Sequence, residues 1–229
     1  MMNVQGITGI LVLLGVAYLL SNNRKEIKIR TVLWGLGLQF SLALMILKVP
    51  FVKSQFSILD RIFRKIISFS ETGSNFLFES FIPGVGYHVA MMNFAFRALP
   101  VIIFFSSLIA ISYHFGIVQT IVKFISKIMR STMRTSGPET LSVSANIFVG
   151  QTEAPIIVRP FIKDMSNSEL MAIMTGGFAT TAGSVLALYV LWLEKIPGIA
   201  GHMLAASIMS APAALAIAKI IYPETEKSR

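Results

Sequence analysis

Several apolar runs in this chain match the thickness of a lipid bilayer. Thr31–Val49 is nearly free of charge and is about long enough to cross a hydrocarbon core of roughly 30 Å. Glu169–Leu193 and Ile199–Ile221 are of the same kind, separated only by the turn EKIPG. Phe94–Ile128 reads as another long apolar span, and Met1–Leu20 as a first. The solvent follows from this pattern. With 14% charged residues against about 25% in a soluble domain, and a mean hydropathy of +0.71, the sequence predicts an all-α integral membrane protein.

Charge orients the spans. No Lys or Arg precedes Met1–Leu20, whereas SNNRKEIKIR follows it. A cleaved signal peptide has the opposite order. The expectation is a retained helix with the N-terminus outside and Arg24, Lys25, Lys28 and Arg30 inside. The basic group Lys123, Lys127, Arg130 and Arg134 belongs on the inner side by the same rule. A net charge of +9 therefore fits lipid headgroups better than nucleic acid, because the cations flank apolar runs. No cysteine occurs, which removes disulfide and thiolate-zinc frameworks. His88, His114 and His202 share no ligand spacing, and no nucleophile lies near a base in a way that suggests an enzyme.

Phe51–Ser70 has a different pattern. Phe56, Leu59, Ile62, Phe63, Ile66 and Ile67 recur at helical spacing, while Lys53, Asp60, Arg61, Arg64 and Lys65 cluster elsewhere. This predicts an amphipathic helix in the interface. Glu71–Met92 reads as a loop with partial helix, in which GVGY lacks the strand–helix setting of a dinucleotide site.

Ser136–Ile162 remains. It is too apolar for a surface loop, yet GQTEAP interrupts its middle and both ends are charged. Each flank is too short to span alone, so the segment reads as a re-entrant hairpin opening to the inside. Its first half would end near Asn146–Val149 with free carbonyls. Its second would start near Pro155 with free N–H groups. Carbonyl oxygens and the Asn146 amide oxygen suit a hard cation, and the tip Gln151–Glu153 can hydrogen-bond an organic solute. Glu153 could instead pair with Arg97 or Arg159, but a carboxylate at membrane depth is costly enough to suggest a solute or water cavity. Glu139 is expected at the cytoplasmic boundary. The next span carries TGGFATTAGS (Thr175–Ser184), where Gly176, Gly177 and Gly183 permit close approach or unwinding and Thr180 and Thr181 offer oxygens. A plain small-residue packing face is the alternative.

SANIFVGQTEAP, then RPFI, then TGGFATTAGSVLA, resembles the concentrative nucleoside transporter family. NRK after the first span, FAFRALPVIIFFSSLI and APAALAIAKIIYPETE resemble it in the same order. The resemblance covers the whole chain. It implies nucleobase contacts at Gln151, Thr152 and Glu153, and a co-transported sodium held by Asn146, Val149, Thr180 and Thr181, with Val149 and Thr181 contributing carbonyls. Thr180 stands where a relative carries Ser, which preserves the hydroxyl.

The family further implies sodium-coupled nucleoside uptake across the cytoplasmic membrane, by an elevator-like movement within a homotrimer. The expected architecture is about five transmembrane helices, the interfacial helix and the hairpin. Residues 1–92 would form a scaffold, and 93–229 a gate region with hairpin 136–162 and broken helix 169–193. Full-length members are nearly twice as long. The C-terminal half, with its second hairpin and ribose contacts, would have to come from the remainder of a longer protein or from a complementary chain. The alternative is a truncated or split subunit without transport activity of its own.

Overall fold

The computed structural model describes residues 2–78 and 94–226, and every regular element among them is helical, with no strand. GVGY and His88 lie outside the described residues. Helix α1 (Met2–Leu19) ends where the Arg24 guanidinium donates to the carbonyls of Tyr18 and Leu19 at 3.2 and 2.9 Å, a cation satisfying the negative end of a helix. Helix α2 (Ile29–Lys48) stops at Val49, held extended before Pro50, and Pro50 opens α3 (Pro50–Phe78). Proline restricts the residue before it and suits a first helical position.

Helix α3 is the expected amphipathic helix, continued to Phe78 through part of the predicted loop. Its apolar face is divided. Ile67 is buried against α4 and α9, while Leu59 and Ile62 stay exposed. Asp60 and Arg64 do not join the outward-facing cations. Asp60 is buried; it accepts from the Ala200 amide at 2.9 Å and from Arg64 Nε at 3.0 Å. Arg64 also donates to the carbonyls of Glu194 and Ile196 at 3.0 and 2.9 Å. The pair clamps α3 to the turn between α9 and α10.

The expected span Phe94–Ile128 is broken. A π-helical turn (Phe94–Ala98) leads into α4 (Leu99–His114), and α5 (Ile117–Met133) follows after a 76° bend. Gly116 at the bend has φ +78°, a left-handed conformation that is cheap for glycine. Helix α5 buries Val118, Val122, Ser126, Met129 and Met133 along one face.

Two short pieces follow, α6 (Gly137–Ala145) and α7 (Glu153–Ile157), then a 3₁₀ turn at Arg159–Asp164. Helices α8 (Asn167–Ala179) and α9 (Gly183–Trp192) are two parts of one span with a gap between them. Helix α10 (Ile199–Ile221) completes the described fold. Among the described residues, Ile29–Lys48, Asn167–Trp192 and Ile199–Ile221 are each long and apolar enough to cross a membrane, and α4 with α5 passes only as a bent pair. Gln5–Leu19 is apolar but shorter.

The core around α6 and α7 has two parts. Met129, Met133, Val143, Ile147, Ala172 and Leu215 join α5, α6, α8 and α10. Val118, Val122, Ala145, Val149 and Ala154 seat the tip on α5. Many large apolar side chains face outward, among them Leu13, Leu47, Phe51 and Phe124, each more than 60% exposed. Such exposure suits a lipid solvent.

Candidate functional site

The interruption GQTEAP forms a tight helix–turn–helix tip. Phe148 N and Val149 N both donate to the Ala145 carbonyl at 3.0 Å, closing α6. Glu153 N and Ala154 N both donate to the Gly150 carbonyl, at 3.1 and 3.0 Å, starting α7. The second helix thus begins at Glu153, two positions before the expected Pro155. Pro155 still falls in its first turn, where its missing N–H has no intrahelical partner to lose.

The tip is joined to the break between α8 and α9. Thr180 is extended at φ −126°, ψ 157° and ends α8. The Asn146 amide nitrogen donates to the Gly176 carbonyl at 2.7 Å and also to the Thr180 hydroxyl. Thr180 Oγ1 donates in turn to the Asn146 carbonyl at 3.1 Å. On the far side of the break, Gly183 N donates to the Phe148 carbonyl at 3.1 Å. A Cβ at Gly183 would lie 2.7 Å from that carbonyl oxygen and 2.8 Å from Ile109 Cδ1, so only glycine permits this approach. The small residues of TGGFATTAGS therefore serve a helix break as well as packing.

These bonds use the nitrogen of the Asn146 amide and leave its oxygen. Asn146 is 2% exposed, and its Oδ1 is buried without a hydrogen-bond partner. Buried carbonyl oxygens are nearly always satisfied, and an oxygen of this kind is the donor a hard cation takes. Of the four expected sodium ligands, Asn146 and Thr180 are in direct contact. Val149 lies buried in the adjoining turn, and Thr181 lies within the break.

Gln151, Thr152 and Glu153 are exposed at the tip. With Thr180, Thr181 and Val185 they line a cavity of about 310 Å³, at the lower end of the range of roughly 300–1,000 Å³ for small-molecule sites. Glu153 also faces a second cavity of about 610 Å³ between the tip and α4, lined by Ser106, Tyr113, Phe148 and Ser184. Among the described residues no ion pair joins Glu153 to Arg159, and the side chain of Arg97 lies outside them.

Glu139 lines a cavity together with Lys28, Arg134 and Lys219, and it is buried there. It is 1% exposed, and its Oε2 lies 2.8 Å from Lys219 Nζ, close as an ion pair though not aligned as a hydrogen bond. Lys219 also donates to Ser168 Oγ at 2.9 Å and to Glu224 at 3.2 Å. Glu139 and Glu169 each close a capping box, accepting from Ser136 N and Ser166 N at 2.7 and 2.9 Å. The network ties the start of α6 to the start of α8 and the end of α10. Sequence reading missed it, although SGPE and SNSE both carry the Ser-x-x-Glu signal of a capped helix start.

Comparison with known proteins shows the family of the chain. Residues 8–81 match a family model described as the N-terminus of Na+ dependent nucleoside transporters, and residues 95–196 match the "Gate" model for nucleoside recognition. Sodium/nucleoside cotransporter 1 of Homo sapiens is 42% identical over 223 residues, which is 96% of this chain and 32% of that protein. An uncharacterized transporter of Haemophilus influenzae is 42% identical over 221 residues, 52% of its length. CNTnw in an inward-facing substrate-bound state superposes with a TM-score of 0.91 at 40% identity, over 100% of this chain and 55% of that one. A CNTnw variant in an outward-facing state gives 0.86 over 96% of this chain. The chain spans about a third to a half of the length of the curated relatives it matches. It belongs to the family of sodium-dependent concentrative nucleoside transporters and corresponds to the N-terminal part of its longer members.

Proposed function

We propose that this chain supplies the nucleobase- and sodium-binding half of a sodium-coupled nucleoside uptake system in the cytoplasmic membrane. The observation that carries this reading is the unpaired, buried Asn146 Oδ1 at the joint between hairpin tip and helix break, beside the cavity lined by Gln151, Thr152 and Glu153. Sodium enters as cargo held by Asn146 Oδ1, the Thr180 hydroxyl and the carbonyls of Val149 and Thr181. Binding there would fasten the tip to the break, so that Gln151, Thr152 and Glu153 are presented to a nucleobase in one arrangement. This makes nucleoside affinity depend on sodium. Coupling of this kind is a differential affinity between two states.

In this reading 136–162 is a re-entrant hairpin opening to the inner side, and the N-terminus is outside. Lys28 and Arg134 line one cavity, and Asn22 N donates to the Ile221 carbonyl at 2.8 Å. The basic loop after α1, the end of α5 and the end of α10 therefore share one end of the molecule, which the positive-inside bias assigns to the cytoplasm. Residues 1–92 act as scaffold and 93–229 carry the site, which moves as an elevator within a homotrimer. The rest of the nucleoside is contacted by a second half, from a longer protein or a complementary chain, because sites of this design lie between two repeats.

A second reading, a subunit that binds but does not transport alone, draws on the exposure of Gln151, Thr152 and Glu153. Uptake of labelled uridine by liposomes separates the two, using this chain alone and together with the C-terminal half of a relative, with and without sodium. Sodium-dependent uptake in the combined sample is expected on the first reading and no uptake in either sample on the second, and Glu153→Gln should abolish the combined uptake while leaving membrane insertion intact. Wild-type uptake by that variant would sink the site assignment.

A further inference from the structure

Helix α5 carries three stripes. Advancing about 100° per residue, its buried seam (Val118, Val122, Ser126, Met129, Met133) occupies one side. Lys123, Lys127 and Arg130, extended by Arg134 at its end, form a basic stripe beside that seam. Ile117, Ile121, Phe124 and Ile128 form an exposed apolar stripe on the remaining side, with Phe124 65% exposed. The bend of 76° turns α5 out of line with α4. A helix lying across a bilayer surface has this design, with apolar residues toward the acyl chains and cations at headgroup level.

The basic stripe also has a facing wall. Lys123, Lys127, Arg130 and Arg134 line an open groove of about 1030 Å³ whose other side is Pro138 and Leu141 of α6, with Phe161 beyond the tip. No acidic residue lines it, and among the described residues none of the four cations forms an ion pair. Four unpaired cations with apolar neighbours suit a ligand that is anionic at one end and hydrocarbon at the other. We propose that this groove is a binding site for the headgroup of an anionic phospholipid, which bridges the interfacial helix α5 to the first half of the hairpin. The phosphate sits among Lys123, Lys127 and Arg130, and the acyl chains follow Phe124 and Ile128 outward. The site is separate from the nucleoside cavity and stands whether or not that reading holds.

The test uses the 229-residue chain, purified and equilibrated with mixed micelles of equimolar phosphatidylcholine and phosphatidylglycerol, with retained lipid measured by mass spectrometry. Phosphatidylglycerol should be enriched roughly tenfold. The enrichment should vanish in K123Q/K127Q/R130Q, fall in Arg130→Gln alone, and persist in the α3 control R61Q/K65Q. Equal retention of the two lipids, or enrichment unchanged in the triple variant, would overturn the proposal. Displacement by millimolar inorganic phosphate would also overturn it, by assigning the groove to the free ion. Should the triple variant fail to fold, loss of enrichment in Arg130→Gln and at high salt decides the matter, and retention under both conditions counts against the site.

Discussion

Lys219 Nζ lies 2.8 Å from Glu139 Oε2, joining the last turn of α10 to the first turn of α6. Neither side chain reaches solvent appreciably, at 8% and 1% exposure. Removing one partner of a buried pair leaves an uncompensated charge, at a cost of about 3–5 kcal/mol. Lys219→Met should therefore lower the thermal unfolding midpoint in detergent sharply. The double variant Lys219→Met/Glu139→Gln should recover much of the loss, since the stranded charge is then gone. No recovery in the double variant would mean that Lys219 acts chiefly through Ser168 and Glu224.

Asn146→Ala removes the unpaired oxygen at the joint together with two donated hydrogen bonds. In a complete transporter carrying these residues, the sodium concentration for half-maximal uptake should rise by roughly tenfold, because a hard cation loses an oxygen ligand. The proposed nucleoside contacts at the tip are not altered directly. A sodium titration with an unchanged midpoint would place the ion elsewhere.

Gly183→Ala forces a Cβ to within 2.7 Å of the Phe148 carbonyl oxygen. Backbone cannot yield as a flexible side chain can, so destabilisation of about 1–3 kcal/mol is expected, with loss of the Gly183–Phe148 hydrogen bond. Gly177→Ala is the comparison. Its added Cβ meets nothing nearer than Gln151 Cβ at 3.4 Å and should be tolerated. Equal melting temperatures for the two variants would contradict the close approach at Gly183.

Topology is testable by thiol labelling, since the chain has no native cysteine. Cysteines at Asn22 and Ser131 should be shielded from an impermeant reagent in intact cells, and one at Gly198 should react. Labelling of position 131 from outside would reverse the side to which the hairpin opens.

The two polar interruptions were legible because polarity is costly in a membrane chain. ANIFVGQTEAP and TGGFATTAGS stand out because a membrane chain places amides, hydroxyls and a carboxylate at depth only where something uses them. The residues alone made the next span the partner of the first stretch, with a small-residue packing face as the alternative; the specific pairing of Asn146 with Thr180 was implied by family resemblance. The bend at Gly116 was hidden, because both of its sides are apolar and a single glycine in such a run is uninformative. Asp60 and Arg64 were misplaced for a similar reason. Helical spacing assigns a residue to a face but does not say what stands opposite, here the free amide of Ala200 and the carbonyls of Glu194 and Ile196.

By itself the sequence determined the solvent, the helical class, the two interruptions and the end of the molecule where positive charge gathers. These are properties of a segment against a uniform medium, so composition and local order suffice for them. The tertiary structure alone decided which groups became partners: Lys219 with Glu139, Asp60 with Ala200, and the Asn146 nitrogen with Gly176 and Thr180, leaving the oxygen unpaired. An ion pair or hydrogen bond between helices depends on distances of a few ångströms set by how whole helices pack, and that geometry has no local signature in the chain.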